Sequence, residues 1–272
     1  MPRRKRKSDA NKLKAGYGTG RGGGYIPYLK TRDVPSLGLS HRILGIKTGR
    51  IHHLLSNLEK NYFLLLDFSP HVSDIREQYP LSPEKTLAIC NRFNLRHPIA
   101  GQPAKPIVMT TDFLITTSEE SQLFLARTVK PADRLSSRRT LEKLEIERIY
   151  WSELGIDWGI VTDYDLPKDR CRNLDWLHPA YFPAESQKFP SEILLQTELL
   201  LFEWNRHMRG PFTALTKAVD KKLCLPPGSS LWMARHFIAT QLWIIDLNKP
   251  LLLDKPIEIE RSNELKLRRL VA

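Results

Sequence analysis

The chain has 272 residues and is 41% hydrophobic, enough for one large domain or two ordinary ones with a proper core. Its net charge is +12, but residues 1–50 carry 13 Lys and Arg against Asp9 and Asp33, so the rest of the chain is nearly neutral. No run approaches 18 unbroken apolar residues and no apolar segment follows the basic N-terminus, so neither a membrane span nor a secretory signal is expected.

The chain opens on a basic cluster, Arg3, Arg4, Lys5, Arg6 and Lys7. Such a cluster favours phosphate backbones through counterion release, without sequence preference. A solubilising tail, a membrane-surface contact or a nuclear-import signal fits the same residues; nucleic acid is the first choice. "GYGTGRGGG" mimics a dinucleotide fingerprint, yet no strand precedes it and no helix follows. Residues 1–24 are therefore expected to be a disordered basic arm ending in a flexible linker.

Order is expected from "YIPYL" onward. "HRILGIKTGRIHHLL" reads as a strand, a K-T-G turn and the start of a helix. Apolar positions at Ile51, Leu54, Leu55, Leu58, Tyr62, Leu65 and Leu66 continue that helix. "VSDIREQYPL" reads as a strand with Ile75, Glu77 and Tyr79 alternating. "IVMTTDFLITT" and "LFLARTVK" are strands joined by a turn at "SEESQ". "SSRRTLEKLEIERIYWSEL" is a long helix, and "IDWGIVTD" a further strand. The order helix, three strands, helix, strand predicts an α/β sheet core over residues 25–180. A polar, proline-containing linker is expected at 180–190. Beyond it, "SEILLQTELLLFEWNRH", "PFTALTKAVDKKL" and "SSLWMARHFIATQL" read as helices, followed by two short strands around Asn248-Lys249-Pro250. Residues 190–272 are thus expected to form a winged-helix-like unit for DNA or a protein partner, with "ERSNELKLRRLVA" as a final helix or interaction tail.

Three acids are oddly placed. Glu59 lies on the edge of an apolar helical stripe, Glu147 is surrounded by Leu144, Trp151 and Leu154, and Asp112 interrupts a strand. Each alone reads as a structural ion pair or a cap. With Lys130 on the neighbouring strand they suggest phosphodiester cleavage. Magnesium takes hard oxygen ligands, lowers the pKa of an attacking water and neutralises charge on phosphorus oxygens. A lysine adds fixed positive charge where the transition state needs it. In such nucleases an acid usually stands two positions before the lysine; here that position is Thr128.

Other chemistry finds no support. Adjacent His52 and His53 do not form an i, i+4 metal pair. No G-x-S-x-G or P-loop is present. Cys90, Cys171 and Cys224 form no C-x-x-C pair, so they are expected to be reduced cytosolic thiols.

The stretches "YIPYL", "VPSLGLSHRILGIKTGRIHHLLSNLE", "DIREQYPL", "TDFLI", "VKPA" and "RTLEKLEIERIYW" together resemble the TnsA family, in order, over roughly residues 25–178. The resemblance implies a restriction-endonuclease-like N-terminal core, a helical winged-helix-like C-terminal domain and metal-dependent cleavage at the 5′ ends of a transposon. It implies Mg²⁺, for which Mn²⁺ can substitute. It also implies a bacterial, nucleoid-associated cytoplasmic setting with a DDE transposase of the TnsB type and an AAA+ ATPase of the TnsC type. A target-selection protein or guide-RNA complex would act at one remove. Carried over position by position, the catalytic residues are Glu59, Asp112 and Lys130. The metal ligands are Glu59, Asp112, the Val129 carbonyl and Glu147. The family pattern has glutamine where this chain has Thr128, whose shorter side chain offers a hydroxyl that could act through a bridging water. Two other readings remain: an inactive nuclease-fold scaffold, and a free-standing restriction or repair nuclease.

Overall fold

A computed structural model of the chain describes residues 9–33, 39–118, 124–182, 189–207 and 210–262. It divides into two units, residues 1–166 and 167–272. The division precedes the linker expected at 180–190, because the helix Lys168–Leu177 belongs with the second unit. Residues 183–188, within that expected linker, lie outside the described set.

The first unit begins with α1 (Asp9–Lys14). A disordered arm over residues 1–24 is therefore not what residues 9–24 form. Lys12 is buried, donating from Nζ to the Tyr28 carbonyl at 2.9 Å and pairing with Asp33 at 3.4 Å. Its ammonium also lies 4.8 Å from the centre of the Tyr28 ring. The glycines permit close packing here: Gly18 has φ +82°, and a Cβ on it would collide with the Pro80 ring. Arg3, Arg4, Lys5, Arg6 and Lys7 lie outside the described residues.

β1 (His41–Leu44) and β2 (Ile51–Leu54) form an antiparallel hairpin in which Arg42 faces His53. "RIHHLL", expected to start a helix, is thus mostly strand. The cause is the buried Glu77 carboxylate on the next strand. It accepts from Arg50 at 2.8 and 2.5 Å, from His52 Nδ1 at 2.8 Å and from the His53 backbone N–H at 3.0 Å, holding this stretch extended. His52 and His53 consequently point to opposite faces, as neighbours on a strand must.

The helix α2 (Asn57–Phe68) starts only after Ser56, whose hydroxyl accepts the Glu59 N–H at 3.1 Å. Replacing Ser56 with alanine is expected to cost about 1 kcal/mol of stability, measurable by denaturant unfolding. β3 (Val72–Pro80) follows, then α3 (Pro83–Phe93). No expected element corresponds to α3, although its signals are in the sequence: Ser82 caps it and Pro83 occupies its first turn. After the short pair β4 (Ile99–Ala100) and β5 (Lys105–Pro106) come β6 (Thr110–Thr117), β7 (Phe124–Val129), α4 (Arg138–Ser152) and β8 (Asp157–Val161).

The main sheet has the order β3-β6-β7-β8. Its first two pairings are antiparallel, and β7–β8 is parallel through the α4 crossover. Ile89 of α3 joins Leu114, Ala126, Ile146 and Trp151 in one core cluster. On β6 the neighbouring Phe113 instead meets Tyr62 of α2, with ring centres 5.5 Å apart. Helices thus cover both faces of a mixed sheet, giving the restriction-endonuclease-like α/β core.

The second unit holds α5 (Lys168–Leu177), α6 (Ser191–His207), α7 (Phe212–Lys222) and α8 (Ser229–Ala239). β9 (Trp243–Ile244) pairs antiparallel with β10 (Glu260–Arg261). The wing was expected around Asn248-Lys249-Pro250, but "LLLD" forms no strand, and the partner of Trp243–Ile244 lies much further along. Buried Glu198 selects this pairing: it accepts from Trp243 Nε1 at 2.8 Å and from Arg261 twice at 2.9 Å. Asn173 donates to the Leu247 and Lys249 carbonyls at 2.9 and 2.8 Å, so the intervening chain is tied down as a loop. Of the C-terminal tail, residues 263–272 lie outside those described. Among the described residues no helix is long and apolar enough to cross a membrane.

Candidate active site

The backbone pairing of β6 with β7 runs from Thr116–Phe124 to Phe113–Arg127, while β7 continues beside β8 to Val129–Val161. Just past the end of the β6–β7 ladder, the Asp112 side chain stands in for the neighbouring strand. Its Oδ2 accepts the Val129 N–H at 2.8 Å and Lys130 Nζ at 2.9 Å. An aspartate disfavoured in a strand by propensity is thus placed by a specific local need. The Asp112 side chain is 10% exposed and that of Lys130 35%, so solvent reaches the pair from the lysine side.

Glu59 occupies the first turn of α2. Its Oε2 accepts the Leu55 N–H at 2.9 Å and its Oε1 the Ser56 hydroxyl at 3.2 Å, a variant of the capping box. Leu55, expected one helical turn before Glu59, actually precedes the helix. Glu59 and Asp112 are joined by a residue the sequence reading did not single out, Gln78 of β3. Its Nε2 lies 3.3 Å from Glu59 Oε2 and 3.3 Å from Asp112 Oδ1, while Thr110 donates to its Oε1 at 3.2 Å. Two carboxylate acceptors on one side and a hydroxyl donor on the other fix this amide orientation. Gln78 is buried at φ +50°, an unusual backbone for a side chain of its size. The alternation of Ile75, Glu77 and Tyr79 implied that it faces the other way, and that was the one available signal.

Glu147, from α4, sits in a second arrangement. It accepts from Thr128 Oγ1 at 2.5 Å and Thr111 Oγ1 at 3.0 Å. Those hydroxyls in turn accept from Trp158 Nε1 at 3.3 Å and Trp151 Nε1 at 2.8 Å. Thr128 is therefore a direct partner of Glu147.

Charge couples the two arrangements. Burial and then the Asp112 carboxylate push Glu59 up to about 7, against the bonds from Leu55 and Ser56. Burial and Asp112 likewise push Glu147 up to about 7. Burial works against the charge on Lys130, but Asp112, then Glu147 and Glu59, hold its pKa above the ordinary value.

Among the described residues no group of three or more His, Cys, Asp or Glu side chains is arranged to hold a metal. The donor chemistry nevertheless suits a hard divalent cation. Two buried carboxylates share one amide nitrogen, and within a strand the Val129 carbonyl projects to the same side as the N–H that meets Asp112.

A mixed-sheet unit with a buried carboxylate–lysine site, followed by a winged-helix-like unit, defines a two-domain protein of the restriction-endonuclease-like class. Two family descriptions match the chain: "TnsA-like endonuclease N terminal" over residues 69–163 and "TnsA endonuclease C terminal" over residues 165–247. Their junction falls beside the division between the two units. The Escherichia coli protein "Transposon Tn7 transposition protein TnsA" is 42% identical over 187 residues, covering 69% of this chain and 66% of that relative, just under two thirds of its length. The chain belongs to the TnsA family. Gln78, Asp112, Lys130 and Glu147 lie inside the first match, and Glu59 lies ahead of it.

Proposed function

We propose that this protein is a DNA endonuclease that hydrolyses a phosphodiester in the non-transferred strand, at the 5′ ends of a transposon, during cut-and-paste transposition. The observation that supports it most is the Asp112 carboxylate, which meets the Val129 N–H and the partly exposed Lys130 ammonium with one oxygen and shares Gln78 with Glu59 through the other.

Glu59, Asp112 and the Val129 carbonyl would hold Mg²⁺, or Mn²⁺ in its place, with Glu147 as a further acid beside them. When bound, the metal supplies an activated water and neutralises charge on the phosphate. Lys130, fixed by Asp112, offers positive charge to the non-bridging oxygens as a water oxygen bonds to phosphorus and one bridging P–O bond breaks. Gln78 keeps the two carboxylates at a set spacing. Replacing Gln78 with alanine is expected to slow cleavage about 10- to 100-fold, the usual range for a residue supporting metal ligands, and to weaken Mg²⁺ binding measured by calorimetry.

Arg3, Arg4, Lys5, Arg6 and Lys7 would grip element-end or flanking DNA. A TnsB-type transposase would cut the 3′ ends, and a TnsC-type AAA+ ATPase would link the complex to a target-selection protein or a guide-RNA complex. The winged-helix-like unit would contact one of these partners or DNA, and the reaction would take place in the bacterial cytoplasm. The test is reconstitution with transposase, ATPase and element DNA. Cleavage at the 5′ ends should appear with Mg²⁺ or Mn²⁺ and vanish with a chelator; cleavage that persists in the chelator rules this reading out.

A further inference from the structure

A second concave site lies on the β1–β2 hairpin, apart from the carboxylates. Lys30, Thr31, Arg32, Ser40, Arg42 and His53 line a cavity of about 410 Å³. Three of these side chains are cationic and none is acidic. The acid next in sequence, Asp33, is already engaged by Lys12 at 3.4 Å and by the Lys30 N–H at 3.1 Å. Arg32, Ser40 and Arg42 are exposed, so the cavity is accessible.

Its floor is fixed. The His53 backbone N–H is held by Glu77 at 3.0 Å. The His53 ring faces Thr31, whose backbone N–H lies 3.4 Å from Nδ1. A backbone N–H can only donate, so Nδ1 carries the lone pair and Nε2 carries the proton. Burial, with Lys30, Arg42 and Arg50 nearby and in spite of Glu77, lowers the His53 pKa and keeps the ring neutral with that proton in place. The Thr31 hydroxyl is spent on His53 Nδ1 at 3.3 Å, so the cavity offers two guanidinium forks, an ammonium, an imidazole N–H and the Ser40 hydroxyl. That is a donor set for a tetrahedral oxyanion.

Position narrows the ligand. His53 stands two residues before Leu55, about 7 Å along the chain. The Leu55 N–H in turn bonds Glu59 at 2.9 Å. The cavity and Glu59 are thus linked through the same short stretch of chain, and DNA offers a row of phosphates along each strand. We infer that the cavity receives a backbone phosphate of the bound DNA, with Arg32, Arg42, Lys30 and His53 as its ligands. This rests on the reading of the chain as a DNA endonuclease, and assigns a positioning role to residues outside the carboxylate site.

The test is equilibrium binding of the full chain to a short fluorescent duplex in chelator, where no cutting occurs, for wild type and the double variant Arg32→Ala/Arg42→Ala. The double variant should bind about tenfold more weakly, and its log K against log salt slope should be shallower by about one, as expected when one phosphate fewer is neutralised. Arg32→Lys/Arg42→Lys should recover part of the affinity, and the melting temperature should not move, since both arginines are exposed. A single methylphosphonate placed at successive positions should locate the phosphate: at one position wild-type affinity falls and the double variant shows no further loss. Equal affinity and slope for wild type and double variant overturn the inference, as does failure of the wild type to bind DNA at low salt. Unchanged DNA binding with loss of an acidic protein partner overturns it too, assigning the cavity to that partner. If the double variant loses DNA while the reconstituted wild type cuts nothing in Mg²⁺, the nuclease reading falls and the phosphate site stands.

Discussion

Asp112→Asn is expected to lower the rate of strand cleavage by about 10³-fold or more while leaving the chain folded. Removing a single well-placed electrostatic group from an active site costs about 10²–10³, and Asp112 serves two roles at once. It would be a metal ligand, and it fixes Lys130 at 2.9 Å. Stability should respond in the opposite sense to activity. Glu59 and Glu147 are each held at about 7, through burial and then repulsion from Asp112. Neutralising Asp112 relieves both, so the melting temperature should stay level or rise, as often happens when a functional site is disarmed. Single-turnover cleavage and thermal unfolding of the same preparation check the pair of outcomes. A variant that keeps cutting, or one that has lost its fold, would show that Asp112 does not hold these roles.

Arg50→Ala should give the largest loss of stability. Arg50 donates twice to Glu77 and also to the Ile75 and Gly22 carbonyls. Removing it leaves a fully buried carboxylate short of its main partner, which costs about 3–5 kcal/mol and corresponds to a fall in melting temperature of roughly 10 °C. The pH dependence has a definite sign. Burial would raise the pKa of Glu77, but Arg50 and His52 hold it down to about 2. An unperturbed glutamate titrates at about 4.3. The stabilisation is therefore complete above about pH 4.3 and lost as pH falls toward 2. In Arg50→Ala this acid-side slope should shrink, and the added change Glu77→Gln should recover part of the lost stability, because it removes the stranded charge.

Much of the architecture is legible in the sequence because it rests on period and caps. The strands at 72–80, 110–117, 124–129 and 157–161 follow from alternation and β-branched content, and the helix at 138–152 from its apolar spacing and from Ser137, whose hydroxyl accepts the Thr140 N–H at its start. Glu59, Asp112, Glu147 and Lys130 stood out because each is a charge set among apolar neighbours. What escaped has a common cause: side chains binding at long range. "RIHHLL" has helical spacing, yet Glu77, some 25 residues on, draws it into a strand. The glycines of "GYGTGRGGG" look like a linker until Pro80 and Asp74 close on them. The wing is set by Glu198 reaching Arg261 across the second unit. Gln78 has only the strand alternation, which sets it on the face opposite Ile75, Glu77 and Tyr79. Its importance lies in two carboxylates, one from a helix and one from a strand, that only the fold brings to one amide. Thr128 illustrates the same limit. From sequence it is a missing acid, whereas in the fold it is the hydroxyl that holds Glu147.

Strand-resolved mapping of breaks at the element ends, in the reconstituted reaction with Mg²⁺, is the most direct test of the central claim. Wild type should produce 5′-end breaks alongside the transposase's 3′-end breaks. Asp112→Ala and Lys130→Ala should each lose the 5′ breaks and keep the 3′ ones. Wild-type reactions that show 3′ breaks and no 5′ breaks would contradict the account and leave this chain a nuclease-fold scaffold.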